Sequence, residues 1–143
     1  MARGRPPVVP ALVVDSSAIA SIVLAEIPPS DAKWSALIIA AGALAPAHFP
    51  AEIANTLVVS VRRKRISELH RSRALLEVAK LAVEVETALD WAGMERVSDL
   101  AERNKLSVYD AIYLDLALRT GLPLATYDAQ LRAAAQASGV IVL

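Results

Sequence analysis

Leu12-Val13-Val14-Asp15-Ser16-Ser17-Ala18-Ile19-Ala20 is the stretch whose reading decides the fold. Its first three residues form an apolar run too short for a helix and suited to a strand buried on both faces. The run stops at a charge, Asp15, and Ser16 or Ser17 is a residue type that caps helices, so a helix reaching about Ala25 is expected next. A fully apolar strand that runs straight into a helix opens a parallel α/β unit rather than a hairpin.

The same alternation continues along the chain. Pro28-Pro29 breaks it, Ser30 or Asp31 starts a helix to about Ala41, and Gly42 ends that helix. Residues 43–45 are a strand candidate, and Pro46 and Pro50 mark the start of a helix reaching Arg65. Further helices are expected over 68–81, 87–104, 109–119 and 129–136, with short strands at 83–85, 122–126 and 140–143. The expected architecture is a three-layer α/β/α sandwich around a mainly parallel sheet. Residues 1–143 are expected to form one domain, with 1–10 as a flexible extension.

Composition narrows the chemistry. With 143 residues, 55% hydrophobic and 21% charged, the chain can bury a core without staples. Lys plus Arg is 15 and Asp plus Glu is 15, so no net charge draws in a polyanion from a distance, and any nucleic-acid contact must be local. The absence of Cys excludes disulfides, thiol nucleophiles and Cys-based zinc sites, and two His are too few for a His-based metal centre.

Arg3, Arg5 and the apolar run after them superficially resemble a secretory signal, but Asp15 ends the run early and Pro6, Pro7 and Pro10 interrupt it. The longest uncharged stretch, 34–51, is broken by Gly42, Pro46 and Pro50, so no membrane span is expected and the cytoplasm is the expected location.

In an open parallel sheet, functional groups collect beyond the carboxyl ends of strands. Asp15 stands at one such end, and Asp128 stands just past another, in Thr126-Tyr127-Asp128. Each also reads as a simple helix N-cap. Asp110 is harder to explain by capping, because Tyr113, Leu114, Ala117 and Leu118 follow it on an apolar helical stripe, where a carboxylate is costly without a partner. Asp115, four residues before Arg119 and on another face, reads as half of a solvated ion pair. Glu52 lies in the first turn of an otherwise apolar helix, a favourable place on dipole grounds alone, with Asn55 one turn on. Together these four acids, without Cys or His ligands, suit a hard cation that takes oxygen ligands, Mg²⁺ or Mn²⁺.

The residues resemble the PIN-domain ribonucleases, and within them the VapC-type toxins of toxin–antitoxin pairs. The resemblance runs over nearly the whole chain: Val13-Val14-Asp15-Ser16-Ser17-Ala18, then Glu52-Ile53-Ala54-Asn55-Thr56-Leu57 followed by Arg62-Arg63-Lys64-Arg65-Ile66. It is strongest in Leu106-Ser107-Val108-Tyr109-Asp110-Ala111-Ile112-Tyr113-Leu114 and closes with Pro123-Leu124-Ala125-Thr126-Tyr127-Asp128. It implies that Asp15, Glu52, Asp110 and Asp128 are catalytic metal-binding acids, supported by Ser17, Asn55 and Thr126. It further implies endonucleolytic cleavage of RNA with Mg²⁺ or Mn²⁺, a homodimer, and an inhibiting antitoxin protein.

Arg62, Arg63, Lys64 and Arg65 form the one dense basic run and read as a solvated helix end, an RNA phosphate contact or an interface. His48 reads as a loop or capping group near the Glu52 helix, and His70 is given no role. Trp34 and Trp91 are expected in the core or an interface rather than as stacking platforms.

Among other classes, a receiver-type phosphoacceptor domain needs adjacent acids after the first strand and a late Lys, and neither is present. A haloacid-dehalogenase-like phosphatase needs Asp where Ser17 stands. The alternative that survives is a catalytically silent PIN scaffold that binds RNA or a protein partner.

Overall fold

The computed structural model describes residues 9–24 and 33–143. Ala25, the Pro28-Pro29 break, the Ser30 or Asp31 cap and most of the expected extension lie outside the described residues.

Strand β1 (Leu12–Val14) has all three side chains fully buried, as its continuous apolar character requires. Helix α1 (Ser16–Val23) follows, then α2 (Lys33–Ala41), β2 (Ala43–Ala45), α3 (Phe49–Arg62) and α4 (Glu68–Lys80). The chain continues through β3 (Val83–Val85), α5 (Trp91–Asn104), α6 (Val108–Thr120), β4 (Leu124–Ala125) and α7 (Ala129–Ala137). The sheet is parallel throughout, in the order β3-β2-β1-β4, which puts β1 at its centre. Helix α6 packs against α5, α7 and β1, while α1, α3 and α4 form a second group. This is the PIN-like α/β/α arrangement expected from the alternation.

Several boundaries move for local reasons. Asp90 caps α5 by accepting from the Gly93 N–H, so that helix starts at Trp91 rather than at 87. Helix α3 ends at Arg62, and Lys64, with φ 57°, turns the chain out of helical conformation before Arg65. The strand expected over 122–126 shrinks to β4, and the final strand is a single parallel bridge between Leu124 and Val142.

Two expectations are corrected. Trp91 is 90% exposed at the start of α5, which removes the core half of its expected core-or-interface placement, whereas Trp34 is buried and its indole N–H donates to the Tyr127 hydroxyl at 3.3 Å. Asp115 is 4% exposed, not solvated. Helix α6 is buried on every side over 111–117, so no face remained for a charge to reach water directly. Asp115 is instead bracketed by Arg96, at 2.9 and 3.1 Å, and by Arg119 at 2.7 Å. Arg119 in turn grips Glu86, just past β3, through two hydrogen bonds of 2.8 and 3.0 Å.

Candidate active site

The parallel sheet aims the carboxyl ends of β1 and β4 at the same edge, and the acids at those ends meet there. Asp15 is the best-anchored of them. Its Oδ1 caps α1 by accepting from the Ala18 N–H at 3.0 Å and also accepts from the Ser17 hydroxyl at 2.7 Å. Its Oδ2 accepts from the Thr126 hydroxyl at 2.6 Å. Burial pushes the Asp15 carboxyl above its ordinary range, against these hydrogen bonds, and the Asp110 charge adds to the rise.

Ser17 and Thr126 serve twice. The Ser17 oxygen accepts from the Tyr127 N–H at 3.0 Å, and the Thr126 oxygen accepts from the Asp128 N–H at 3.0 Å. They therefore lock the segment after β4 onto the start of α1. Asp128 then caps α7, accepting from the Leu131 N–H at 2.8 Å. The capping reading of Asp15 and Asp128 is thus realised in both; Asp128 keeps its Oδ2 for other use, whereas both oxygens of Asp15 already accept hydrogen bonds and only lone pairs on them remain.

Asp110 sits half-buried in the first turn of α6, whose cap is Ser107. Desolvation, then the charges of Asp128 and Glu52, push its carboxyl up. The carboxyls of Asp15 and Asp110 thus resist ionisation for the same two reasons: burial and neighbouring negative charge.

Glu52 behaves differently. Burial would raise it, but His48, Tyr113 and Ser16 outweigh that and hold its carboxyl below the ordinary range. The Tyr113 hydroxyl donates to Glu52 Oε1 at 2.7 Å, and His48 Nε2 stands 3.2 Å from the same oxygen. That oxygen lies off the ring N–H direction, so His48 contributes proximity rather than a directed hydrogen bond. Burial and the Glu52 charge keep the Tyr113 hydroxyl protonated well beyond the usual phenol range, so Tyr113 acts as a donor and not as a base.

Tyr113 and His48 are the residues that sequence reasoning underrated. A tyrosine on a buried helical stripe must still find a partner for its hydroxyl, and that requirement was the available signal. For His48 the spacing to Glu52, one helical turn, was the clue.

Asn55 is exposed and lines a cleft of about 400 Å³ with Ser16, Ser17, Arg63 and Arg65. Arg62 and Lys64 do not line it, so the basic run divides around the end of α3.

The donor set is entirely oxygen and carries like charges, which suits Mg²⁺ or Mn²⁺. As placed, no group of three His, Asp or Glu side chains is arranged to hold a metal ion among the described residues. The acids neighbour one another electrostatically without yet forming a closed coordination sphere.

The family profile of the PIN domain matches residues 12–137. The chain belongs to the PIN domain family. The crystal structure of PAE2754 from Pyrobaculum aerophilum is similar to this PIN domain with a TM-score of 0.70 and 26% sequence identity, over 92% of this chain and 90% of that one. No curated protein matches the sequence. The PIN fold is typically that of a nuclease, and divalent metals are commonly used on it. No described helix of this PIN domain is long and apolar enough to cross a membrane.

Proposed function

We propose that this PIN domain is a Mg²⁺- or Mn²⁺-dependent endoribonuclease in which Asp15, Glu52, Asp110 and Asp128 hold the ion, and that it is the toxin of a toxin–antitoxin pair. The observation that carries the enzymatic reading is the position of Asp110, a half-buried acid whose carboxyl is raised by burial and by the charges of Asp128 and Glu52. A protein that gains nothing from such a cluster would lose little by replacing it, since mutual repulsion of buried carboxylates opposes folding.

When bound, the ion would offset that repulsion and supply Lewis-acid polarisation of a phosphoryl oxygen and an activated water. The protein's own part is positioning. Ser17 and Thr126 fix Asp15, Tyr113 and His48 keep Glu52 ionised, and the first turns of α6 and α7 present Asp110 and Asp128. The cleft with Arg63 and Arg65 supplies local positive charge for the RNA backbone, which the neutral molecule cannot attract as a whole. The toxin role, the antitoxin and the homodimer rest on the resemblance to VapC-type toxins. Exposed Leu37 and Ile39 on α2 are compatible with an apolar partner surface.

Incubation of the purified chain with a total RNA pool, with Mg²⁺ or Mn²⁺ and with chelator, tests the reading. Internal cleavage that needs metal and disappears in folded Asp15→Asn and Asp110→Asn variants is expected. An intact RNA pool together with no calorimetric Mn²⁺ binding would leave the silent PIN scaffold as the correct reading.

A further inference from the structure

Beside the acids lies a second cleft of opposite character. The turn after β2, the segment after β3 and the start of α6 enclose about 510 Å³, walled mainly by His48, Leu89, Met94, Tyr109 and Ile112. It shares no lining residue with the cleft that holds Arg63 and Arg65. Its described lining residues include no Lys or Arg and one acid, Glu86, which Arg119 fixes through two hydrogen bonds. A phosphate or carboxylate finds no Lys or Arg there, and a flat neutral ring finds a mainly apolar lining that also includes Thr87 and Ser107.

Three links tie this pocket to the acids. His48 lines it while Nε2 stands 3.2 Å from Glu52. The hydroxyl of Ser107, also on its wall, accepts the Asp110 N–H at 3.1 Å. Tyr109 immediately precedes Asp110, is 63% exposed, and faces the His48 ring with centroids 5.7 Å apart at 52°. An exposed tyrosine held beside a histidine at the edge of an apolar pocket is the kind of surface on which an unstacked base settles.

We propose that this pocket receives the base of the nucleotide adjoining the scissile phosphate, with Tyr109 as its stacking platform, and so sets a base preference at the cut. This rests on the nuclease reading above. The acids handle the phosphate, the Arg63 and Arg65 cleft takes the backbone leading to it, and the apolar pocket reads one base. Tyr109 is a specificity residue in this scheme and touches no reacting atom.

The test has two arms. In the first, metal-free protein is titrated with each common nucleoside 5′-monophosphate and followed by amide NMR. Saturable shifts at Ala47, Thr87, Ala88 and Tyr109 are expected, with one base favoured by about fivefold or more. Tyr109→Ala, and Ala88→Trp at an exposed position that would fill the pocket, should each weaken binding about tenfold, while Tyr109→Phe retains it. In the second arm, sequenced products from a random RNA pool should share a base at the cut, and the products of Tyr109→Ala, formed more slowly, should lose that bias.

Flat titrations, shifts centred on Arg63 and Arg65, or binding unchanged in both disruptive variants would overturn the pocket. A partner protein's apolar side chain as the true occupant gives flat titrations and overturns it equally. Cleavage without nucleotide binding removes the pocket and leaves the nuclease. Nucleotide binding without cleavage of any RNA removes the nuclease reading and the scissile-site assignment with it.

Discussion

The hydroxyl of Thr126 donates to Oδ2 of Asp15 at 2.6 Å across 111 positions of sequence, with both residues buried. The Thr126 hydroxyl oxygen itself accepts the Asp128 N–H, so one hydroxyl registers the end of β4 against the end of β1 and seats the start of α7. Thr126→Val keeps the shape and removes the donor and the acceptor together. Leaving a buried carboxylate underbonded should cost about 1–3 kcal/mol in urea unfolding. Thr126→Ser should recover most of it, and a stable Thr126→Val beside a destabilised Thr126→Ser would show that the methyl group, not the hydroxyl, matters.

Asp110→Asn removes a charge that burial and two acids oppose. The metal-free variant should therefore melt higher than the parent, by about 2–5 °C in calorimetry, while losing Mn²⁺-induced stabilisation and cleavage. A folded-state carboxyl value above the ordinary 3.8 means that Asp110 favours the folded state below that pH and that this contribution is lost as pH rises through the higher value. The stability gain of Asp110→Asn should accordingly appear near neutral pH and fade on acidification. A variant that melts lower at neutral pH would show Asp110 to be a structural acid.

Asp115 predicts the opposite slope. Burial raises its carboxyl, but Arg96 and Arg119 outweigh this and hold it below the ordinary range. Its contribution is present above the unfolded-state value and is lost as pH falls through the lower folded-state value. Asp115→Ala strands the Arg119 guanidinium beside Glu86 alone and should cost about 2–4 kcal/mol at neutral pH. Arg96, half in water, should matter less. Urea unfolding from neutral to acidic pH measures both, and a loss of stability that does not diminish toward acid would exclude the ion pairs as its cause.

Tyr113→Phe separates support from chemistry at Glu52. Without the 2.7 Å hydrogen bond, the Glu52 carboxyl should move up toward its ordinary value, and the acid limb of the kcat/KM profile should move to higher pH. Stability should fall by about 1 kcal/mol, because the hydroxyl is lost along with the bond. An unshifted acid limb would mean that Glu52 ionisation does not control the reaction.

The layering of the fold was legible because it depends on local pattern. Three-residue apolar runs such as 12–14 can be satisfied only inside a sheet covered on both faces, and a stop residue such as Gly42 marks its helix end within one turn. Asp15, Asp110 and Asp128 stood out for the same reason, as charges set against apolar runs. Asp115 was misread because ordinary helical periodicity assumes one wet face, and α6 has none over 111–117.

By itself, then, the sequence determined the order of strands and helices and the parallel sheet they build, and it singled out acids at strand ends and helix starts. These follow from short-range sterics, capping and hydrophobic pattern, all carried within a few residues. Only the tertiary structure decided how those acids differ: Asp15 gripped by Thr126, Glu52 kept ionised by His48 and Tyr113, Asp110 raised by burial and by its acidic neighbours. It also decided that Arg63 and Arg65, not Arg62 and Lys64, line the cleft beside Ser17. Charge states and clefts depend on distances between residues far apart in the chain, and those distances exist only once packing has set them.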